Sequence, residues 1–153
     1  MRIGLPSVIA ALVLAWLAVL SCYDIRQRRL PNALTLPGAG VILLAGAVAG
    51  RGVPVLAGAG ALTGVYLLVH LMAPGALGGG DVKLAIGLGG LAGCFGVEVW
   101  FLAALAAPLL TALCAVSMRA TGLFGGAGGA GTVPHGPSMC VATAAATGLA
   151  LLG

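Results

Sequence analysis

The sequence predicts an all-α protein: a polytopic membrane bundle of about six transmembrane helices, forming a single domain over residues 1–153. Three observations predict it. Hydrophobic residues make up 61% of the chain and charged residues only 7%, whereas about a quarter of an ordinary soluble domain is charged. The mean hydropathy of +1.18 excludes a disordered polymer. The apolar residues also fall into six runs, with most charges, and clusters of glycine and proline, gathered between them.

The runs cover about residues 3–23, 34–49, 53–73, 84–96, 99–118 and 137–152. Crossing a bilayer as a helix takes about 20 residues. The first, third and fifth runs meet that length, and the second and sixth reach it with their flanks. The fourth is short and carries Gly87, Gly89, Gly90 and Gly93. It reads as a span sheltered by its neighbours, with a re-entrant segment as the other reading. Gly46/Gly50, Gly60/Gly64 and Gly89/Gly93 have the small-xxx-small spacing that permits close helix packing in lipid. Residues 122–131 read as a flexible glycine-rich loop. Pro134 and Pro137 then bracket His135 and restart the chain as a helix.

Six spans put both termini on one side of the membrane. The opposite side then carries Arg26, Arg28, Arg29, Lys83 and Arg119, against Arg2 and Arg51 on the terminal side. The positive-inside rule places the richer side in the cytoplasm of a multi-pass protein. These charges read as orientation signals, since no basic face with aromatic platforms suggests nucleic-acid binding. Cys22, Cys94, Cys114 and Cys140 are too widely spaced for a zinc site and read as buried free thiols. Val19-Leu20-Ser21-Cys22 is similar to a lipoprotein cleavage site. The preceding run is long for a signal peptide, however, so it reads as the first span.

The chain has only three acidic residues, and two of them sit at the ends of apolar runs: Asp24 follows the first run, and Asp81 follows a glycine triplet. Ionisable groups at membrane depth are costly and point to function. Two spans separate the pair, so both carboxylates reach the same face. Two aspartates at one membrane face suggest acid–base chemistry. One ionised carboxylate takes a proton from water while its protonated partner polarises a carbonyl. Close like charges separate the two pKa values, so that one proton is shared. The glycines of Gly78-Gly79-Gly80-Asp81 permit unusual backbone angles and a close approach of a substrate backbone. Glu98, the third acid, reads as a solvated interface charge at the other face.

Asp24 with Arg26, Arg29, Pro31 and Asn32 resembles the first aspartate motif of type IV prepilin peptidases. Gly78-Gly79-Gly80-Asp81-Val82-Lys83 resembles their G-x-G-D motif, and His135-Gly136-Pro137 is similar to the glycine–proline element opening their last span. The three elements occur in family order across essentially the whole chain. The resemblance implies an aspartic endopeptidase of the bacterial inner membrane, its site facing the cytoplasm. It would remove the basic leader of a prepilin-like membrane protein. The catalytic pair carries over onto Asp24 and Asp81, with Gly78, Gly80, Lys83, Asn32 and His135 as substrate-binding or orienting candidates. No cofactor, metal or nucleic acid is expected, and self-association stays open. No cysteine-rich zinc segment or N-methyltransferase domain is expected, which likens the chain to the small peptidase-only members of tight-adherence or Flp-type pilus systems. His135 stands where many relatives carry an aromatic residue.

Blander readings remain for several residues. Lys83 either orients a group or snorkels to the interface, Asn32 shapes a turn, and His70 is a packed histidine bonded to a carbonyl. Trp16 and Trp100 read as apolar or interfacial anchors. A different functional class, a small ion- or proton-coupled transporter or channel, would use Asp24 and Asp81 as ion sites.

Overall fold

The computed structural model describes residues 5–121 and 133–152. The glycine-rich stretch 122–131 and Arg2 lie outside the described residues. Six helices follow in order: α1 (Leu5–Gln27), α2 (Asn32–Val48), α3 (Gly52–Met72), α4 (Gly79–Phe95), α5 (Val97–Ala120) and α6 (Gly136–Leu152). The all-α bundle predicted from the sequence is thus observed. Ser7–Gln27, Gly52–Met72 and Val97–Ala120 are each long and apolar enough to cross a membrane. Large apolar side chains such as Ile9, Leu12, Val41, Leu56, Leu105 and Leu149 point outward. In water so much exposed apolar surface would drive association, whereas in a bilayer it meets lipid.

The fourth run resolves as a continuous helix. Its start lies earlier than the hydropathy pattern places it, because Gly79, Gly80 and Asp81 already form its first turn. An acidic residue in a first turn is favoured by the partial positive charge of the helix N-terminus. Leu84, Ala85, Leu88 and Ala92 are almost completely buried, and α4 packs against α2, α3, α5 and α6. It therefore needs little hydropathy of its own, since protein rather than lipid surrounds it.

α3 and α4 run antiparallel in backbone contact. A Cβ at Gly89 would lie 2.5 Å from the Gly58 carbonyl oxygen, and one at Gly93 would lie 2.5 Å from that of Pro54. These contacts run from Pro54 to Leu62 in the first half of α3. Of the spacings noted in the sequence, only Gly89/Gly93 has both members in tight interhelical contact. Gly60, Gly64 and Gly50 face open space. Gly89→Val is expected to lower stability by about 3 kcal/mol through overpacking, whereas Gly60→Val leaves it unchanged. The midpoint of thermal unfolding in detergent measures both.

Gly96 alone joins α4 to α5, at φ +118°. Residues with a Cβ rarely adopt that angle. The Arg51 guanidinium donates to the Cys94 carbonyl, closing the C-terminal end of α4 with a positive charge. Both tryptophans act more specifically than anchors. Trp16 Nε1 donates to the Leu34 carbonyl at 3.0 Å, and Trp100 Nε1 donates to that of Gly58 at 3.0 Å. All four cysteines are free, but only Cys140 is buried, and Cys22 and Cys114 face outward. The expectation of four buried thiols is corrected accordingly: an apolar run leaves open which of its faces meets lipid. Glu98 is exposed in the first turn of α5, as expected.

Candidate active site

Asp24 lies within the last turns of α1 rather than after the helix, because the helical backbone continues to Gln27. Arg28 ends the helix at φ +49°, with its N–H bonded to the Asp24 carbonyl at 2.8 Å. This left-handed residue turns the chain toward Pro31, the N-cap of α2. Asp81 lies on the first turn of α4. The two carboxylates come from different helices yet line one cavity of about 300 Å³, with Arg28, Arg29, Leu30, Asn32, Gly78, Gly79, Gly80 and Lys83. Asp24 keeps 7% of its exposure and Asp81 keeps 8%, so little water reaches either one despite the surrounding arginines.

Each carboxylate meets the N-terminus of a helix. The amide of Gly136, the first residue of α6, donates to Asp24 Oδ2 at 3.1 Å. That N–H has no partner within its own helix, and a carboxylate is a favoured acceptor there. A Cβ at residue 136 would lie 2.6 Å from the same oxygen, so only glycine lets the carboxylate approach. Asp81 stands at the N-terminus of its own helix, with the Gly78 backbone beside it.

Lys83 Nζ donates to Asn32 Oδ1 at 2.9 Å. This ties the α4 side of the cavity to the start of α2 and holds the ammonium at its rim. Lys83 and Asn32, read separately from the sequence, share this bond at the edge of the site. The glycines before Asp81 act differently from the expectation of unusual backbone angles. Gly78 has ordinary extended angles, and Gly79 and Gly80 are helical. Gly80 instead provides space, since a Cβ there would press on Leu30 at 3.2 Å. His70 is the packed histidine expected, with Nδ1–H donating to the Leu77 carbonyl at 2.7 Å. It pins the loop that leads into the Gly78–Asp81 turn.

Among the described residues, no group of three or more His, Cys, Asp or Glu side chains is placed to hold a metal ion. The polar side chains of the cavity are two carboxylates, two guanidiniums, an amine and an amide. The family model of the type IV leader peptidase family matches residues 11–116, which include both carboxylates, Asn32 and Lys83. The chain belongs to the type IV leader peptidase family. No curated protein and no solved structure matched in the corresponding searches.

The matched region stops before His135 and Gly136, so geometry alone joins these two residues to the site. His135 does not line the carboxylate cavity. Its ring faces an apolar groove of about 610 Å³ between α3 and α5. There Tyr66 Oη lies 2.9 Å from Nε2 and Thr111 Oγ1 lies 2.6 Å from Nδ1. Neither partner was foreseen, because a lone tyrosine or threonine inside an apolar run carries no local signal of its own. Gly136 was legible only as part of the His135-Gly136-Pro137 element.

The Thr111 hydroxyl also donates to the Ala107 carbonyl at 3.1 Å. With its single proton engaged there, it accepts from Nδ1–H, and Nε2 then accepts from the tyrosine hydroxyl. The imidazole is thus held neutral, and burial pulls its pKa below the ordinary 6.5. The unfolded ring takes up a proton near 6.5 while the folded ring resists, so this group destabilises the fold as pH falls below that value. The expected result is a smaller fall in the thermal midpoint of His135→Phe than of the wild type between about pH 7.5 and 5.5.

Proposed function

We propose that this leader peptidase family member is an aspartic endopeptidase that removes the basic leader of type IV, Flp-like prepilins at the cytoplasmic membrane face. The observation that carries the reading is the convergence of Asp24 and Asp81, both buried and from separate helices, on one open-mouthed cavity. Two carboxylates in such a space share a proton, and the pair titrates as a unit. The ionised member draws a proton from a water molecule, which attacks the scissile carbonyl. The protonated member donates to the carbonyl oxygen as the tetrahedral centre forms. The carboxyl that took the water proton then passes it to the scissile nitrogen as the C–N bond breaks, and a hydroxyl proton of the tetrahedral centre returns to the other carboxylate. This releases the leader with a new C-terminal carboxyl group and the pilin with a new amino terminus.

Each remaining candidate has a role consistent with its position. Gly78 leaves room beside Asp81 for an extended substrate backbone, and Gly80 lets Leu30 pack against the start of α4 at the cavity wall. Lys83, held by Asn32, directs a positive charge into the cavity, suited to orienting a substrate carbonyl. The arginines at the same end of the bundle support a cytoplasmic orientation and would repel a basic leader, so leader recognition is assigned away from them. The cavity lies at helix ends, which favours hydrolysis over an ion path through the spans.

The test is co-expression with an Flp-type prepilin, with the mass of the pilin as readout. Loss of the leader in the presence of the wild type, and its retention with Asp24→Asn and Asp81→Asn, is the expected result. An uncleaved pilin in every case, together with ion flux in liposomes that both substitutions abolish, would replace the peptidase with a transporter.

A further inference from the structure

The amide that meets Asp24 belongs to the residue directly after His135, and the His135 ring is bonded at both nitrogens. One bond runs to α3 through Tyr66 and the other to α5 through Thr111. The Tyr66 and His135 rings also lie against each other, with centroids 5.5 Å apart and planes inclined by 36°. The bonds run in one direction, from the Tyr66 hydroxyl through the imidazole and the Thr111 hydroxyl to the Ala107 carbonyl. The His135 carbonyl accepts from the Met139 amide at 3.1 Å, which makes His135 the first anchor of α6. Fixing its ring therefore fixes the peptide plane that presents the Gly136 N–H to Asp24 at 3.1 Å.

We propose that Tyr66 and Thr111 are positioning residues that act through His135 to hold the Gly136 amide against the Asp24 carboxylate. Neither side chain lines the cavity. Their influence passes through one ring and one peptide bond, and reaches a carboxylate whose aim decides whether attack on the scissile carbon is productive. The proposal rests on the peptidase reading for its kinetic consequence, but its geometric content stands apart from that reading.

The test uses the full chain in detergent with Tyr66→Phe, Thr111→Val and Thr111→Ser, and it has two readouts. Hydrogen exchange of the Gly136 amide, followed in peptides spanning the start of α6, is expected to speed up at least about tenfold in Tyr66→Phe and Thr111→Val. Thr111→Ser, which keeps the hydroxyl, stays at the wild-type rate. Against a purified Flp-type prepilin, the first two variants are expected to lose about tenfold in kcat with KM unchanged, and the serine variant to recover it. Combining Tyr66→Phe with Thr111→Val adds little to either alone, since both act on one ring. Unchanged exchange at Gly136 overturns the proposal whatever the cleavage result. Faster exchange with wild-type kcat, or a loss confined to KM, reduces the clamp to a structural element and also overturns it. A wild-type protein that cleaves no prepilin, yet shows the exchange pattern, leaves the clamp standing and counts against the peptidase reading instead.

Discussion

Asp24→Asn and Asp81→Asn are each expected to reduce prepilin cleavage by about a thousandfold, within the range for loss of a positioned acid or base. Asparagine has nearly the volume of aspartate, and at position 24 its amide oxygen can still accept the Gly136 N–H. The helix ends therefore stay packed, and insertion and folding are expected to be unchanged. What is lost is the ability to take up and return a proton. Because the two carboxylates share that task, the double substitution is expected to do no worse than either single one. Timed sampling of pilin mass in membranes, with equal amounts of each variant, measures the effect. Retention of a tenth or more of the wild-type rate by either variant would end the aspartyl reading.

Gly136→Ala is expected to have the next largest effect, a fall of about a hundredfold in kcat, by displacing a carboxylate without removing it. The added Cβ would lie 2.6 Å from Asp24 Oδ2 and 3.1 Å from its Cγ. The first distance is too short for any Cβ contact, and the carboxylate is the movable partner. Alanine favours a helix more than glycine does, so the thermal midpoint is expected to hold or rise while activity falls. A general packing defect would move both downward. Wild-type cleavage by the alanine variant would show that Asp24 works from a position other than the one on the Gly136 amide.

Much of the fold was legible because lipid imposes a simple rule on the chain: apolar runs of sufficient length become helices. The six helices followed from that rule, and Asp24 and Asp81 stood out because acids are so scarce in this sequence. The helix limits near the site were not legible. Hydropathy falls away at Asp24 and Asp81, but the backbone stays helical around both, since a carboxylate is welcome where helix N-termini converge. Lys83 and Asn32 were recognised as candidates, yet their bond spans 51 positions of sequence, and no local pattern announces it. Tyr66 and Thr111 gave no warning for the same reason. Gly58, the partner of the Gly89/Gly93 pair, was likewise hidden, because composition alone makes such spacings common here.

The wrapping of α4 by its neighbours has a consequence for how the protein is made. Helices enter a bilayer from the translocon according to their own affinity for lipid, and α4, with its many glycines, has little. Its groove on α3 must already be present when it arrives, so the two helices are expected to insert as a hairpin, with Gly96 turning the chain toward α5. A bulky side chain at Gly58 would then do its damage during synthesis. Glycosylation-site mapping of nascent chains would find α4 stranded outside the membrane, and quality-control proteases would remove the chain before its two carboxylates ever met.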